Sequence, residues 1–194
     1  MREQNRELTY YIGTSLDGYI AGPNDEVEPL MAFADVHEAI KEEWPETVPT
    51  HIRPALGIAD APNTHFDTLL MGRRTYDPGL AVGVTSPYAH LEQYVFTRSL
   101  DAGTDKDVNF VAGDPLELVR VLKAREGKGI WLCGGANLAS ALMSEIDQII
   151  VKRYPVLFGG GIPMFAGAFA PAAFRLTGNR AFDSGAVIQT YRKA

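Results

Sequence analysis

The order of its segments is the feature of this chain that most constrains its fold. Short β-branched or aromatic segments alternate with segments of helical apolar spacing. We predict strands at residues 8–13, 66–71, 94–97, 108–111, 129–133 and 148–154, and helices at 30–40, around 52–56, from 115 onward and at 136–143. Strands that alternate with helices are typical of a mainly parallel sheet covered on both faces. The sequence therefore predicts an α/β fold.

The remaining segments complete this prediction. Residues 174–177 and 187–191 form two strands with no helix between them, which predicts a C-terminal antiparallel hairpin. Residues 14–25 are dense in turn residues and are predicted to be mostly loop, and residues 78–87 a mobile loop. We expect residues 1–7, which are polar, to be a flexible N-terminus. No repeat or linker interrupts the pattern, so residues 1–194 are predicted to form a single domain.

Composition excludes several classes of protein. The chain has 194 residues, a net charge of -6 and no basic run, so nucleic acid is not an expected partner. No segment approaches the ~20 apolar residues of a membrane helix, and no apolar stretch near the N-terminus resembles a signal peptide. Cys133 is the single cysteine, so no internal disulfide can form. We expect a cytoplasmic protein that does not associate with membranes.

Three predicted strands end in sequences suited to binding a phosphate. Residues 66–71 lead into Gly72-Arg73-Arg74-Thr75, residues 94–96 into Thr97-Arg98-Ser99, and residues 129–133 into Gly134-Gly135-Ala136-Asn137-Leu138. In open α/β sheets, ligands bind outside the carboxyl ends of the strands, where helix N-termini attract anions. A tight turn would explain any one of these sequences. The three together favour an anionic nucleotide.

An ordinary dinucleotide-binding domain is disfavoured, because no Gly-x-Gly-x-x-Gly follows the first strand. The ordered set of motifs instead resembles the dihydrofolate-reductase-like superfamily, and within it the reductase domain of the bifunctional riboflavin-biosynthesis deaminase–reductase. The motifs that carry this resemblance are Ser15-Leu16-Asp17-Gly18-Tyr19-Ile20-Ala21, the three strand ends above, and the glycine-rich segment from Tyr154 to Phe165. The resemblance covers nearly the whole chain.

The resemblance implies both a fold and an activity. The fold would be a three-layer α/β/α domain with a mixed, mainly parallel sheet, and the peptide between Gly134 and Gly135 would be cis. The activity would be NADPH-dependent reduction, by hydride transfer, of a pyrimidine- or pteridine-like molecule or of a ribosyl carbonyl attached to one. A reductase of 5-amino-6-(5-phosphoribosylamino)uracil is the type it suggests. A homodimer is implied as well, and the apolar segment at residues 162–173 agrees with it.

The resemblance also implies roles for individual residues. The segment from Thr14 to Ile20, with Thr14 and Ser15 as its candidate contact residues, would border the nicotinamide ring of NADPH. Gly72 and Thr75 would face the pyrophosphate, and the backbone of Gly134, Gly135, Ala136, Asn137 and Leu138 would pack against it. The residues expected around the adenosine 2′-phosphate are Arg73, Arg74, Thr97, Arg98 and Ser99. Arginine suits this task because its guanidinium makes bidentate contacts to phosphate.

The proton donor for the reduction is left open by the sequence. Asp17, in the turn after the first strand, is our candidate catalytic residue, although an Asp-Gly turn would also explain it. Folate reductases carry an acidic residue on the first helix, and Glu28, Asp35 and Glu38 fall in that region here without matching a motif. The riboflavin branch commonly has a tryptophan after the loop, where this chain has Glu28-Pro29-Leu30, so the substrate also stays open.

Other chemistries have less support. The four histidines are scattered and no Cys-x-x-Cys pair exists, so we expect no metal. Cys133 ends an apolar strand and is interpreted as a buried small hydrophobe. Two alternatives to the leading hypothesis remain: a dihydrofolate or pterin reductase, and a non-catalytic module that binds a nucleotide or flavin. For a reductase, Arg74 and Arg98 predict a preference for NADPH over NADH, because an NAD site would place an acidic residue after a strand.

Overall fold

The computed structural model describes residues 6–101 and 103–194. Ten strands are present in this part of the chain: β1 Leu8–Thr14, β2 Tyr19–Ala21, β3 Phe66–Gly72, β4 Glu92–Phe96, β5 Val108–Val111, β6 Gly129–Gly134, β7 Gln148–Arg153, β8 Ile162–Pro163, β9 Phe174–Ala181 and β10 Val187–Lys193. The α-helices are α1 Ala34–Glu43, α2 Arg73–Ala81, α3 Pro115–Lys123 and α4 Ala136–Ala141. The predicted strands and α-helices are present with shifted ends, and the short helix expected around residues 52–56 is a 3-10 helix, Arg53–Leu56.

Eight of these strands form one mixed sheet in the order β5-β4-β3-β6-β1-β7-β10-β9. The six strands from β5 to β7 are parallel to their neighbours, and β10 pairs antiparallel with both β7 and β9. The predicted mainly parallel sheet and its C-terminal antiparallel hairpin are therefore confirmed.

Helices cover both faces of the sheet, which makes three layers. The first core lies under α1 and α2 and contains Val36 and Tyr76. The second lies under α3 and α4 and contains Val119 and Leu138. Successive residues of β6 alternate between the two cores, because side chains of a strand point to opposite faces of the sheet. This alternation explains why the central strands are apolar along their whole length.

Two predicted loops contain regular structure. Residues 14–25 include β2, which pairs with β8 more than 140 residues later, so its partner could not be read from local sequence. Residues 78–87 begin inside α2, with Pro78 in the helix interior. Proline normally ends a helix. Here the burial of Tyr76, which is 0% exposed, and the packing of Leu80 stabilise the helix past Pro78.

The prediction of a flexible terminus over residues 1–7 is wrong at its C-terminal end. Arg6 is 7% exposed, forms an ion pair with Asp67 and donates hydrogen bonds to Thr68 Oγ1 (2.7 Å) and to the carbonyl of Lys128 (2.5 Å). Residues 1–5 lie outside the described part of the chain. Polar composition favoured a free terminus, whereas the tertiary structure supplies a specific partner for the guanidinium.

The segment on which the homodimer prediction rests is exposed. Within this segment Phe169 is 97% exposed; outside it, Leu157 is 72% exposed and Leu176 on the edge strand β9 is 49% exposed. The homodimer stays a prediction. In the described residues, no helix is long and apolar enough to cross a membrane.

Candidate active site

A groove of about 1040 Å³ lies at the carboxyl ends of the parallel strands. It opens over β3 and β6, which are neighbours in the sheet. The helices that follow these two strands leave toward opposite faces, since α2 packs in the first core and α4 in the second. Such a divergence creates a crevice at the sheet edge. The topology alone therefore fixes where a ligand can bind.

The groove brings together the three strand ends singled out from the sequence. The predicted site residues that line it are Gly72, Arg73, Arg74, Thr75, Thr97, Arg98, Ser99, Gly135, Ala136, Asn137 and Leu138. A positive helix end was expected after each of these three strands. No helix follows β4, because a loop connects it to β5. At this position only side chains and loop backbone can contact an anion.

Glycines allow the chain to approach itself closely at the centre of the groove. A Cβ on Gly72 would lie 3.4 Å from the nitrogen of Gly135, and one on Gly135 would lie 3.6 Å from Thr75 Oγ1. Gly134 has a φ of 126°, in the region that favours glycine. The peptide between Gly134 and Gly135 is cis, as the resemblance implied. Gly134 is buried and does not line the groove, whereas its neighbour Gly135 does.

The arginines at one end of the groove differ in their partners. Arg73 forms an ion pair with Asp77 and donates to Ser99 Oγ (2.8 Å). Arg74 donates to both carboxylate oxygens of Asp25 at 2.8 Å. Within the described residues, no hydrogen bond or ion pair engages the exposed Arg98 side chain. This end of the groove therefore carries three cations, of which Arg98 has the least internal compensation.

The turn after β1 is built differently from its predicted role. Thr14 and Ser15 are 2% and 0% exposed. The Ser15 hydroxyl donates to Asp17 Oδ1 (2.6 Å) and accepts from the backbone nitrogen of Tyr19 (3.0 Å). The Ser15 hydroxyl is thus engaged within the turn, and neither Thr14 nor Ser15 lines the groove. Their contribution to the site is to position the turn.

Asp17 holds a second loop in place. Its carboxylate accepts hydrogen bonds from the backbone nitrogens of Phe158 (3.1 Å) and Gly159 (2.8 Å). The hydrogen bond from Ser15 and these two backbone contacts lower the pKa of Asp17 to about 2. A carboxylate that is ionised throughout the neutral range has no proton to give. The contacts favour a structural role for Asp17 over the predicted proton relay.

The acidic residues near the first helix are also engaged elsewhere. Asp35 accepts from the backbone nitrogens of Ser184 (2.9 Å) and Val36 (2.8 Å), and Glu38 forms an ion pair with Lys41. Glu28 accepts from the backbone nitrogen of Val27 (3.1 Å). None of the three carboxylates lines the groove. The structure offers no acidic group at the position where the sequence suggested one.

Several lining residues were missed from the sequence. Ala21 of β2, with Gly161, Ile162 and Pro163 around β8, closes one side of the groove, next to Ile20, which the resemblance had already placed beside the nicotinamide ring. Asp25 was missed as the partner of Arg74. The glycine-rich segment around Gly161 was noticed as part of the resemblance, but the sequence gives no signal that it pairs with β2. Cys133 lines the groove too, and burial raises the pKa of its thiol to about 12.

The described residues contain no group of three or more His, Cys, Asp or Glu side chains that could hold a metal ion. The fold and the groove together define the class: this is an α/β domain with the dihydrofolate-reductase-like fold, whose crevice is flanked by arginines. Residues 6–188 match the family described as the RibD C-terminal domain. The chain belongs to that family.

Similarity to individual proteins agrees with this assignment. The chain is 30% identical over 189 residues to the uncharacterized protein YwjB of Bacillus subtilis (strain 168), covering 96% of this chain and 98% of YwjB. It shares the fold of the diaminohydroxyphosphoribosylaminopyrimidine deaminase/5-amino-6-(5-phosphoribosylamino)uracil reductase of Thermotoga maritima (TM-score 0.65, 16% identity, 99% of this chain and 58% of that one). Dihydrofolate reductase from Enterococcus faecalis, complexed with NADP(H) and RAB-propyl, also has this fold (TM-score 0.63, 16% identity, 96% of each chain).

Proposed function

We propose that this protein is an NADPH-dependent reductase of a pyrimidine- or pteridine-like small molecule, of the 5-amino-6-(5-phosphoribosylamino)uracil reductase type. The observation that carries the proposal is the convergence of Arg73, Arg74 and Arg98 with two hydroxyl side chains at one end of a groove. Membership of the RibD C-terminal domain family supports the class of substrate.

The residues present fit a phosphorylated dinucleotide. Arg98, with the hydroxyls of Thr97 and Ser99, would hold the 2′-phosphate through charge-assisted hydrogen bonds. The glycine backbone at positions 72 and 135 leaves room for the pyrophosphate, because no Cβ projects there. When bound, the cofactor would supply the hydride, and the protein would orient it and the substrate.

The charge of the groove favours NADPH over NADH. Asp25 is the one carboxylate among the described lining residues, and Arg74 neutralises it. A site for NADH would instead present a free acidic residue to the ribose hydroxyls. Two phosphate contacts of roughly 1.5–3 kcal/mol each, even with partial screening by solvent, would give about a hundredfold preference.

One experiment distinguishes the proposed function from two others. The shared fold with a folate reductase keeps dihydrofolate as a second candidate substrate, and a protein without turnover would be a nucleotide-binding module. We expect NADPH to bind, and its oxidation at 340 nm to accelerate with 5-amino-6-(5-phosphoribosylamino)uracil and not with dihydrofolate. The reverse order of rates would favour the folate reductase. Binding without oxidation of NADPH in the presence of either compound would contradict a reductase of this type.

A further inference from the structure

Lys152, which is not among the residues that line the groove, has no counter-ion in the described part of the chain. It lies on β7 beside Gly13 of β1, and its Nζ is 3.7 Å from the centre of the Tyr11 ring. Within residues 6–101 and 103–194, no carboxylate forms an ion pair with it and no acceptor takes a hydrogen bond from it. Burial lowers the pKa of its ammonium to about 7. Lys152 is only partly exposed, so its ammonium is partly desolvated with no carboxylate beside it, and this arrangement costs free energy and needs a reason.

Other polar atoms around Lys152 also lack partners. Tyr11, which is 1% exposed, has a buried Oη without a hydrogen bond of ordinary geometry, since the nearby Thr47 hydroxyl donates to the carbonyl of Trp44. On α1, the buried Nε2 of His37 has no partner either. Burial, and then Lys152, lower the pKa of His37. Buried polar atoms are nearly always satisfied, so several without partners on one face of the sheet point to a ligand.

Lys152 is connected to the groove through Cys133. Cys133 lines the groove, and it lies close enough to Lys152 that each shifts the pKa of the other. Gly13 has no side chain to separate them: a Cβ there would lie 3.1 Å from the Tyr154 ring and 3.9 Å from Lys152 Cε. In the sheet, the arginines follow β3 and β4, whereas Lys152 lies on β7 beyond β6 and β1. The unpaired ammonium is therefore at the opposite end from the arginines.

We propose that Lys152 is a catalytic residue that donates the proton required when the substrate is reduced. Its ammonium would contact the nitrogen or oxygen of a polarised C=N or C=O bond. When bound, the cofactor would supply the hydride to the carbon of this bond, and the nitrogen or oxygen would take the proton from Nζ. The products are the oxidised cofactor, the reduced substrate and a neutral amine that regains its proton from water.

This assignment rests on the proposed reductase function and accounts for the absence of a suitable carboxylate. It implies a substrate with a basic or electron-rich acceptor atom, such as an imine or carbonyl of a ribosylated pyrimidine. The titratable groups that face Lys152 from the packed elements are Tyr11 on β1, Cys133 on β6, His37 on α1 and Tyr154 after β7, with Glu43 and Glu46 farther away around Tyr11. The neutral forms of the phenols and the thiol persist at pH 7, because burial raises their pKa values.

The test compares Lys152→Met with the same change at the exposed Lys106, which lies outside the groove. Single-turnover reduction of 5-amino-6-(5-phosphoribosylamino)uracil by NADPH is measured from pH 5.5 to 9, and the dissociation constant of NADPH is measured separately. We expect Lys152→Met to slow reduction about a hundredfold or more, as for loss of a general acid, with NADPH affinity within about twofold of wild type. Lys106→Met should match wild type. The wild-type rate should fall as the pH rises through about 7.

Two further measurements separate a chemical role from a structural one. Lys152→Arg keeps the charge but holds its proton too tightly, so it should remain slow and lose the fall in rate near pH 7. In protein labelled with ¹³C at lysine Cε, the resonance that Lys152→Met removes should titrate near pH 7. Three results would each overturn the role of Lys152 alone. The first is a resonance that titrates near pH 10.5, and the second is a Lys152→Met rate within about fivefold of wild type. The third is a loss of NADPH affinity in Lys152→Met as large as its loss of rate. Wild type that binds NADPH but reduces neither this compound nor dihydrofolate would overturn the reductase function together with it.

Discussion

Two cationic regions at the carboxyl edge of the sheet hold their charges in opposite ways. At the end formed by β3 and β4, the side chains of Arg73 and Arg74 are 38% and 63% exposed, and each has a carboxylate partner. At the end formed by β1 and β7, Lys152 lies over an aromatic ring with no partner among the described residues. A solvent-exposed charge costs little free energy, and its ion pairs contribute modestly to stability. A desolvated charge without a partner lowers the stability of the fold. Under the proposed function, the first end would tune cofactor affinity and the second end would serve the chemistry.

The largest expected effect is that of substituting Lys152 on the stability of the fold. Lys152→Met should raise the free energy of unfolding by about 1–4 kcal/mol at pH 7, because it removes a desolvated charge and keeps the volume. Each ~1 kcal/mol should raise Tm by about 2–4 °C in a domain of this size.

The pH dependence of this gain identifies its cause. The folded-state pKa of Lys152 is depressed from 10.5 to about 7, so wild type carries the full cost below pH 7. This cost decreases between pH 7 and 10.5 and is absent above that range. Thermal unfolding of Lys152→Met and wild type should therefore differ most below pH 7 and converge toward pH 10.5. A difference that does not change with pH would mean that packing, not charge, is responsible.

The next effect is on cofactor affinity, at the exposed end. Arg98→Ala should weaken NADPH binding about tenfold or more and leave NADH within about twofold, because the 2′-phosphate loses a charge-assisted contact of ~1.5–3 kcal/mol. Arg74→Ala should have a smaller effect, since Asp25 already occupies its guanidinium. Dissociation constants for both cofactors check this, with Arg180→Ala on the exposed strand β9 as the control. An equal loss of affinity for NADH and NADPH would mean that Arg98 does not contact the 2′-phosphate.

The smallest effect is expected at the partner of Arg74. Asp25→Asn should strengthen NADPH binding about two- to fivefold, because it releases Arg74 from an exposed ion pair worth ~0.2–1 kcal/mol. Asparagine also tolerates the φ of 68° at this position. The gain should shrink in high salt and be absent in Asp60→Asn, which changes an exposed residue outside the groove. Weaker NADPH binding would show that Asp25 holds the loop and does not compete with phosphate.

Local patterns predicted the elements of this fold well. The helix predicted from residue 115 onward begins there: Asp114 caps α3 by accepting from the backbone nitrogen of Leu116 (2.9 Å), and Pro115 occupies the first turn. Patterns failed where a distant contact overrides a local preference. Pro78 suggested a loop, but the packing of Tyr76 keeps it in a helix, and Arg6 is fixed by residues more than 60 positions away.

The candidate site, like the fold, could be predicted only in part from local sequence. The sequence by itself determined that three strand ends carry glycines, hydroxyls and arginines, and the order of the elements placed these ends along one edge of the sheet. Only the tertiary structure decided which charges are paired. Asp17, a plausible acid in sequence, is tied to the backbone nitrogens of Phe158 and Gly159, whereas Lys152, one lysine in an ordinary strand pattern, is left without a counter-ion. Backbone preferences are local and can be read along the chain, but desolvation and pairing depend on neighbours that only folding brings together.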